Sequence, residues 1–229
     1  MKNCTQKTPT GQIEGIAIVC YIQVVGRLLI ATNNRGKKRE YEQLLSELPL
    51  HLCSPQDLQI SFEVDEDGAS YAENARSKAL TYLRASGLPT LADDSGLEVD
   101  VLGGEPGLHS ARYAGPAADD LERHRLLLQN LEQVPWERRT ARFRCLLVLA
   151  APGGETYETE GICEGVIAFS PKGSHGFGYD PVFYLPGYDQ TMAQLSPELK
   201  NRISHRARAV QKMLPILRRV LSNSETEGA

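Results

Sequence analysis

The alternation of apolar and polar positions divides the chain into strands and helices before any chemistry is considered. Leu28-Leu-Ile-Ala-Thr32 is a continuous apolar run of the kind that forms a buried strand, and it passes into the polar turn Asn33-Asn-Arg-Gly-Lys37. Tyr41, Leu44, Leu45 and Leu48 then recur at three- and four-residue spacing, which predicts a helix. A second helix is predicted over 69–86, with Ala72, Ala75, Ala79 and Leu83 on one face, Asn74, Ser77, Lys78 and Thr81 on another, and Glu73 in its first turn. Gly87-Leu-Pro89 breaks it. Thr90-Leu-Ala92 leads into Asp93-Asp-Ser-Gly96, which reads as a strand end turning sharply into Leu97-Glu-Val-Asp-Val101, so that two carboxylates and a hydroxyl are delivered at a strand terminus. Residues 118–132 predict a third helix opened by Asp119 and Asp120, whose carboxylates suit its positive end. Thr140–Ala150 and Glu155–Phe169 predict a long hairpin around Ala151-Pro-Gly-Gly154. A last helix is expected from about His205 to Leu221, kinked or interrupted at Pro215, followed by a disordered tail over 222–229. With residues 1–26 set aside as an extension, 27–221 reads as one mixed α/β unit of two lobes.

Composition narrows the choice of partners. At 229 residues, 41% hydrophobic, the chain is long enough for a full core. A net charge of -4 leaves no general basic surface to hold polymeric nucleic acid, so a polyanion has to be met by local basic residues. The apolar run at residues 16–25 is interrupted by Gln23 and falls short of the roughly 18 residues that span a membrane, which argues against a membrane role. Five scattered cysteines without a CxxC pair suit a reducing cytoplasm rather than a disulfide framework. The five histidines are isolated, so any metal is expected to have oxygen ligands.

Three groups of residues then stand out. A helix that starts just after a strand offers free N–H groups to a phosphate, and Thr32-Asn-Asn-Arg-Gly-Lys37 adds a flexible Gly36 and the charge of Lys37, although its spacing is not that of a Walker A loop. Glu73, Asp93 and Asp94 are hard oxygen donors of the type Mg²⁺ prefers, and one of them could instead deprotonate an attacking water. Phe177-Gly-Tyr-Asp180 offers rings for a base, and Lys200, His205 and Arg206 offer donors for phosphate or a purine carbonyl. Asp180, held before Pro181, is read as at least equally structural.

Thr32–Lys37, Tyr71-Ala-Glu-Asn74, Ala92-Asp-Asp-Ser-Gly-Leu97, Leu102-Gly-Gly-Glu-Pro-Gly107, Ser110-Ala-Arg-Tyr-Ala-Gly115, Gly176–Phe183 and Ser204-His-Arg206 follow one another in an order that resembles the non-canonical purine NTP pyrophosphatases, the inosine/xanthosine triphosphate family, over about residues 27–220. The resemblance implies an elongated two-lobed α/β fold with a central mixed sheet and a cleft, usually a homodimer. It implies Mg²⁺-dependent hydrolysis of ITP, dITP or XTP between the α and β phosphates, which clears these nucleotides from the cytoplasmic pool. By the same resemblance Asp94 is the general base or a metal ligand, with Glu73 beside it at the metal and Asp93 as a further candidate there. Thr32, Asn33, Asn34, Arg35, Gly36 and Lys37 would hold phosphates and Ser95 would contact substrate. Phe177, Gly178, Tyr179 and Asp180 would form part of the base pocket, Lys200 would bind substrate, and His205 with Arg206 would read the purine 6-oxo group. A pyrophosphatase for modified pyrimidine triphosphates and a silent nucleotide-binding regulator are the alternatives. The regulator has no need of three carboxylates.

Overall fold

A polar turn between two apolar stretches sets the start of the fold. In the computed structural model, which describes residues 26–226, β1 (Gly26–Ile30) is followed by α1 (Arg35–Leu44) and β2 (Leu50–Cys53). The expected extension lies outside the described residues up to residue 25, and Gly26 already belongs to β1. Asn34 caps α1 by accepting from the Lys37 N–H at 3.0 Å, so the helix begins inside the segment read as a turn. Next come α2 (Tyr71–Ser86), capped by Ser70 and stopped by Gly87 in the left-handed region, β3 (Thr90–Val99), and α3 (Asp120–Asn130), whose Asp119–Glu122 capping box satisfies its first turn. The hairpin of β4 (Thr140–Ala150) and β5 (Thr156–Ile167) has the expected limits to within two residues. Short β6 (Phe183–Leu185) and β7 (Gln190–Thr191), then α4 (Pro197–Ile203) and α5 (His205–Thr226), complete the chain.

The strands form one open mixed sheet in the order β2-β1-β3-β4-β5-β6-β7, parallel on the β2-β1-β3 side and antiparallel from β3 onward. Leu28, Ile30, Leu91, Leu147 and Leu149 face α1 and α5 on one side, while Leu29, Ala92, Val148 and Ala150 face α2 on the other. A third cluster, with Leu97, Leu127, Leu131, Phe143, Ile167 and Phe183, fills the second lobe around α3.

Two expectations are corrected. Asp93–Gly96 is no turn: β3 runs unbroken through it, because each residue from Thr90 to Val99 has a partner on β4. The acidic residues therefore sit in mid-strand. Pro215 does not interrupt α5 either, and the helix continues to Thr226, so 222–226 are helical and only 227–229 of the expected tail lie outside the described residues. A proline inside a helix costs about 3 kcal/mol. Val210, Met213 and Leu217, each buried against the sheet, contribute about 1.5–3 kcal/mol apiece and outweigh it.

β1 pairs with β3 only at Leu29–Thr90 and Ile30–Leu91, so β3 continues past the carboxyl end of β1, where its backbone is met by side chains and loops instead of a strand. Lys78 donates to the Asp93 carbonyl, Ser110 Oγ accepts from the Leu97 N–H, and the Glu105 carbonyl accepts from the Val99 N–H. In open α/β sheets ligands bind outside the carboxyl ends of parallel strands, and here that position collects the loop before α1 and the acidic stretch of β3.

Candidate active site

A cleft of about 290 Å³ occupies this place, and it is lined by Asn34, Lys37, Asp94, Ser95, Phe177, Gly178, Tyr179, Asp180, Lys200, His205 and Arg206. Residues up to 172 positions apart in the chain, from Asn34 to Arg206, thus share one space, through the start of α1, the middle of β3, the loop before β6, and α4 with α5. A wider depression of about 470 Å³ between β5 and α5 holds none of the candidate residues.

The three carboxylates expected at one metal do not converge. Successive side chains of a strand point to opposite faces, which separates Asp93 from Asp94. Asp93 turns toward α1 and α5, where its Oδ2 lies 3.1 Å from Lys37 Nζ and accepts from Arg206 Nη2 at 3.0 Å. Burial alone would raise its pKa, but Lys37, Arg206 and Lys78 hold it well below the usual carboxylate range. Glu73 is exposed at the start of α2, accepts from the Ala69 N–H at 2.8 Å, and does not line the cleft. Among the described residues no three His, Cys, Asp or Glu side chains form a ready-made metal cluster.

Asp94 turns the other way, toward α2. Its Oδ2 accepts from Asn74 Nδ2 at 2.8 Å and its Oδ1 from the Ser95 N–H at 2.9 Å, which fixes the carboxylate. Burial and the neighbouring Glu66 raise its pKa against the opposing pull of Lys78. Glu66, a cleft residue that sequence reasoning missed, is paired with Lys78 Nζ, which also donates to the Asp93 carbonyl. Lys78 stays charged, because Asp93, Glu66 and Asp94 offset its burial.

The basic residues are compensated internally. Lys37, Asp93, Arg206, Glu40, Lys200 and Asp180 form a chain of ion pairs in alternating sign, with 2.7 Å between Lys200 Nζ and Glu40 Oε1 and closer contacts from Arg206 to Glu40 and from Lys200 to Asp180. Lys200 and Arg206 therefore have little unpaired charge to offer a phosphate. Both terminal nitrogens of Arg206 are engaged, Nη2 also with Ser95 Oγ at 3.1 Å. What remains is Arg206 Nε and His205 Nδ1, two buried atoms without a partner among the described residues. Burial, Arg206 and Lys200 push the His205 pKa far down, so its ring, stacked on Phe143 at 4.7 Å, is neutral.

The loop before β6 closes the cleft. The Phe177 ring packs against Gly36, where a Cβ would come within 2.5 Å of it, so Gly36 makes room for an aromatic ring and not for a phosphate. Gly176 has a φ of +78°, and a Cβ there would meet Asp180 Oδ2 at 2.0 Å. Asp180 also accepts from the Phe177 N–H at 2.9 Å, in keeping with its structural reading. Tyr179 is buried, with its hydroxyl donating to the Ser110 carbonyl at 3.0 Å. Of the phosphate loop only Asn34 and Lys37 reach the cleft. Thr32 Oγ1 accepts from the Asn34 N–H, Asn33 donates to Glu63, and Arg35 is exposed.

The sequence profile described as the Ham1 family matches residues 28–216. The chain belongs to the Ham1 family. A Ham1 protein from Coxiella burnetii superposes with a TM-score of 0.77 at 36% identity, covering 85% of this chain and all of that one. The Staphylococcus aureus Ham1 protein gives 0.75 at 40% identity, over 84% of this chain and 98% of that one. Relatives described as dITP/XTP pyrophosphatases include one from Desulforamulus reducens, 48% identical over 87% of this chain and 99% of its own length, and one from Geobacter sulfurreducens, 50% identical over 80% and 92%. In this Ham1-family chain the residues hardest to find from sequence were Glu40, Glu66 and Lys78. Asn74 and Lys78, four apart on α2 and read from sequence only as part of its polar face, are both buried against β3.

Proposed function

We propose that this chain hydrolyses dITP, ITP and XTP to the nucleoside monophosphate and pyrophosphate, with Mg²⁺ as cofactor. One observation carries the reading: a single cleft joins a fixed, basic-shifted carboxylate, Asp94, to the helix-capping Asn34 and Lys37 and to an aromatic wall with two unpartnered buried nitrogens. The names of the relatives support the substrate class. Asp94 holds the position of a general base, since a carboxylate with a raised pKa accepts a proton from water more readily. Lys37 and the first N–H groups of α1 face the phosphates. Phe177 offers a face to the base, and the free nitrogens of His205 and Arg206 are donors for a 6-oxo group. An amino group at that position would leave them unpaired at about 1–3 kcal/mol each, which disfavours adenine.

The donor set fits Mg²⁺ in a specific way. Mg²⁺ is commonly held by one or two carboxylates together with substrate phosphates, not by an all-protein cage. Of the four carboxylates that line the cleft, Glu66, Asp94, Asp120 and Asp180, the neighbouring Asp94 and Glu66 would meet this need, in place of Glu73 and Asp93. Bound there, the ion would neutralise charge on the phosphates.

The reading includes a homodimer in a reducing cytoplasm. The three buried, unpaired thiols Cys53, Cys145 and Cys163 suit that compartment, and among the described residues no helix is long and apolar enough to cross a membrane. Sedimentation equilibrium would show the dimer. For the activity, purified protein with Mg²⁺ is given ITP, dITP, XTP, GTP and ATP, and products are identified. IMP and pyrophosphate from ITP are expected, with ATP turned over least. IDP and orthophosphate would overturn the proposed bond cleavage.

A further inference from the structure

The first turn of α3 holds both walls of the cleft, and nothing in the chemistry above uses it. Asp120 Oδ2 accepts from the Gly178 N–H at 2.9 Å, and four residues on, one turn along the same face, His124 Nε2 donates to the Gly178 carbonyl at 2.6 Å. Both backbone groups of one loop glycine are thereby tied to one helix. Gly178 has a φ of +58° and open space around it, so no packed side chain of its own holds the peptide in place. Between these two contacts Arg123 pairs with Asp120 and donates through Nη1 to the carbonyls of Ala111 and Ala118, at 2.8 and 2.7 Å. Ala111 belongs to the short helical segment Gly107–Arg112, which forms the wall opposite the 176–180 loop and is joined to it by the Tyr179–Ser110 bond.

We propose that Asp120 and His124 are positioning residues that set the conformation in which the 176–180 loop presents Phe177 to the purine, with Arg123 holding the facing wall in register. The proposal rests on the purine triphosphate reading of the cleft. Phe177 is one residue from the anchored glycine and three from Asp180, which ties the other end of the loop to Lys200. With a tie to α3 removed, the Tyr179–Ser110 bond and the Asp180 contacts still hold the flanking residues, but the peptide at Gly178, which glycine leaves free to rotate, shifts and carries the adjacent Phe177 ring with it. Misplacement of a binding surface that acts equally on substrate and transition state raises KM and spares kcat.

Four variants test this. Asp120→Ala and His124→Leu remove one tie each. Asp120→Asn and His124→Gln keep an acceptor for the Gly178 N–H and a donor for its carbonyl. With ITP, the first two are expected to raise KM about tenfold with kcat within about twofold of wild type, and the second two to restore KM to within about twofold. A KM unchanged in Asp120→Ala and His124→Leu overturns the proposal, as does a rise that Asn and Gln fail to rescue. Amide hydrogen exchange provides a readout that needs no substrate. The Gly178 amide should exchange at least tenfold faster in Asp120→Ala, while β4 amides stay protected. Unchanged Gly178 exchange refutes the tie even if ITP proves not to be the substrate, whereas failure of wild type on ITP with faster exchange refutes the substrate and not the tie.

Discussion

Asp93 and Asp94 are neighbours in sequence and opposites in physics. Asp93 faces cations that keep it ionised, so its free energy is spent on holding Lys37 and Arg206. Asp94 faces Asn74, the backbone and another acid, and burial with Glu66 raises its pKa. Only the second is suited to take a proton. Asp94→Asn should lower kcat about 10²–10⁴-fold. In wild type, kcat/KM should fall as pH drops through the Asp94 pKa, on a one-proton limb that lies above the ordinary carboxylate value near 4. The sign for stability is the reverse. A carboxyl whose folded pKa is raised disfavours the folded state once ionised, so Asp94→Asn should be at least as stable as wild type at neutral pH. A pH–rate profile and a urea melt on the same protein check both. A variant that loses activity and stability together would make Asp94 a structural residue.

At the scale of elements, the ends of α3 show how a helix can serve two purposes. Its first turn is directed at the cleft, and its last turn is capped by Arg139, a buried arginine that donates to the carbonyls of Leu131 at 2.6 Å, Val134 at 3.0 Å and Ala168 at 3.0 Å. Arg139→Leu removes these donors; the Leu131 carbonyl keeps the Val134 N–H, but the Val134 and Ala168 carbonyls lose their partner at about 1–3 kcal/mol each, so a loss of about 2 kcal/mol or more in denaturant unfolding is expected. The folded fraction should keep its KM, because Arg139 lies outside the cleft. Periodicity was enough to place α2, α3, β4 and β5 to within two or three residues, since each carries an apolar face over two or more turns or pleats. It failed at β3, where Asp93-Asp-Ser-Gly has turn composition but is paired along its whole length with β4. It placed Asn74 and Lys78 together on a polar face of α2 but could not show that they are buried, because the carboxylate and carbonyl they meet belong to a strand far off in sequence.

At the scale of the whole molecule, the ion-pair chain from Lys37 to Asp180 links α1, β3, α4, α5 and the loop before β6. Its basic members were visible in the sequence and were read as ligands for the nucleotide. Of the compensating acids, Asp180 was read as structural and Asp93 was expected at a metal, while Glu40 drew no notice within a helix otherwise rich in charge. A buried pair contributes little over an apolar one, but removing one partner costs about 3–5 kcal/mol, since the other is left buried and charged. Asp93→Asn should therefore destabilise the fold by about that much at neutral pH. The pH dependence identifies the cause. The folded pKa of Asp93 is depressed, so its contribution is present above the unfolded value near 3.9 and is lost as pH falls toward the folded pKa. Urea unfolding of wild type and Asp93→Asn from pH 7 down to pH 3 should give curves that run parallel above about pH 5 and draw together below about pH 4. If the gap stays constant to the lowest pH, Asp93 is not an ionised anchor. If instead stability is unchanged and Mg²⁺ affinity falls, the carboxylate belongs with Asp94 at the metal, and the charge chain is not what holds the cleft together.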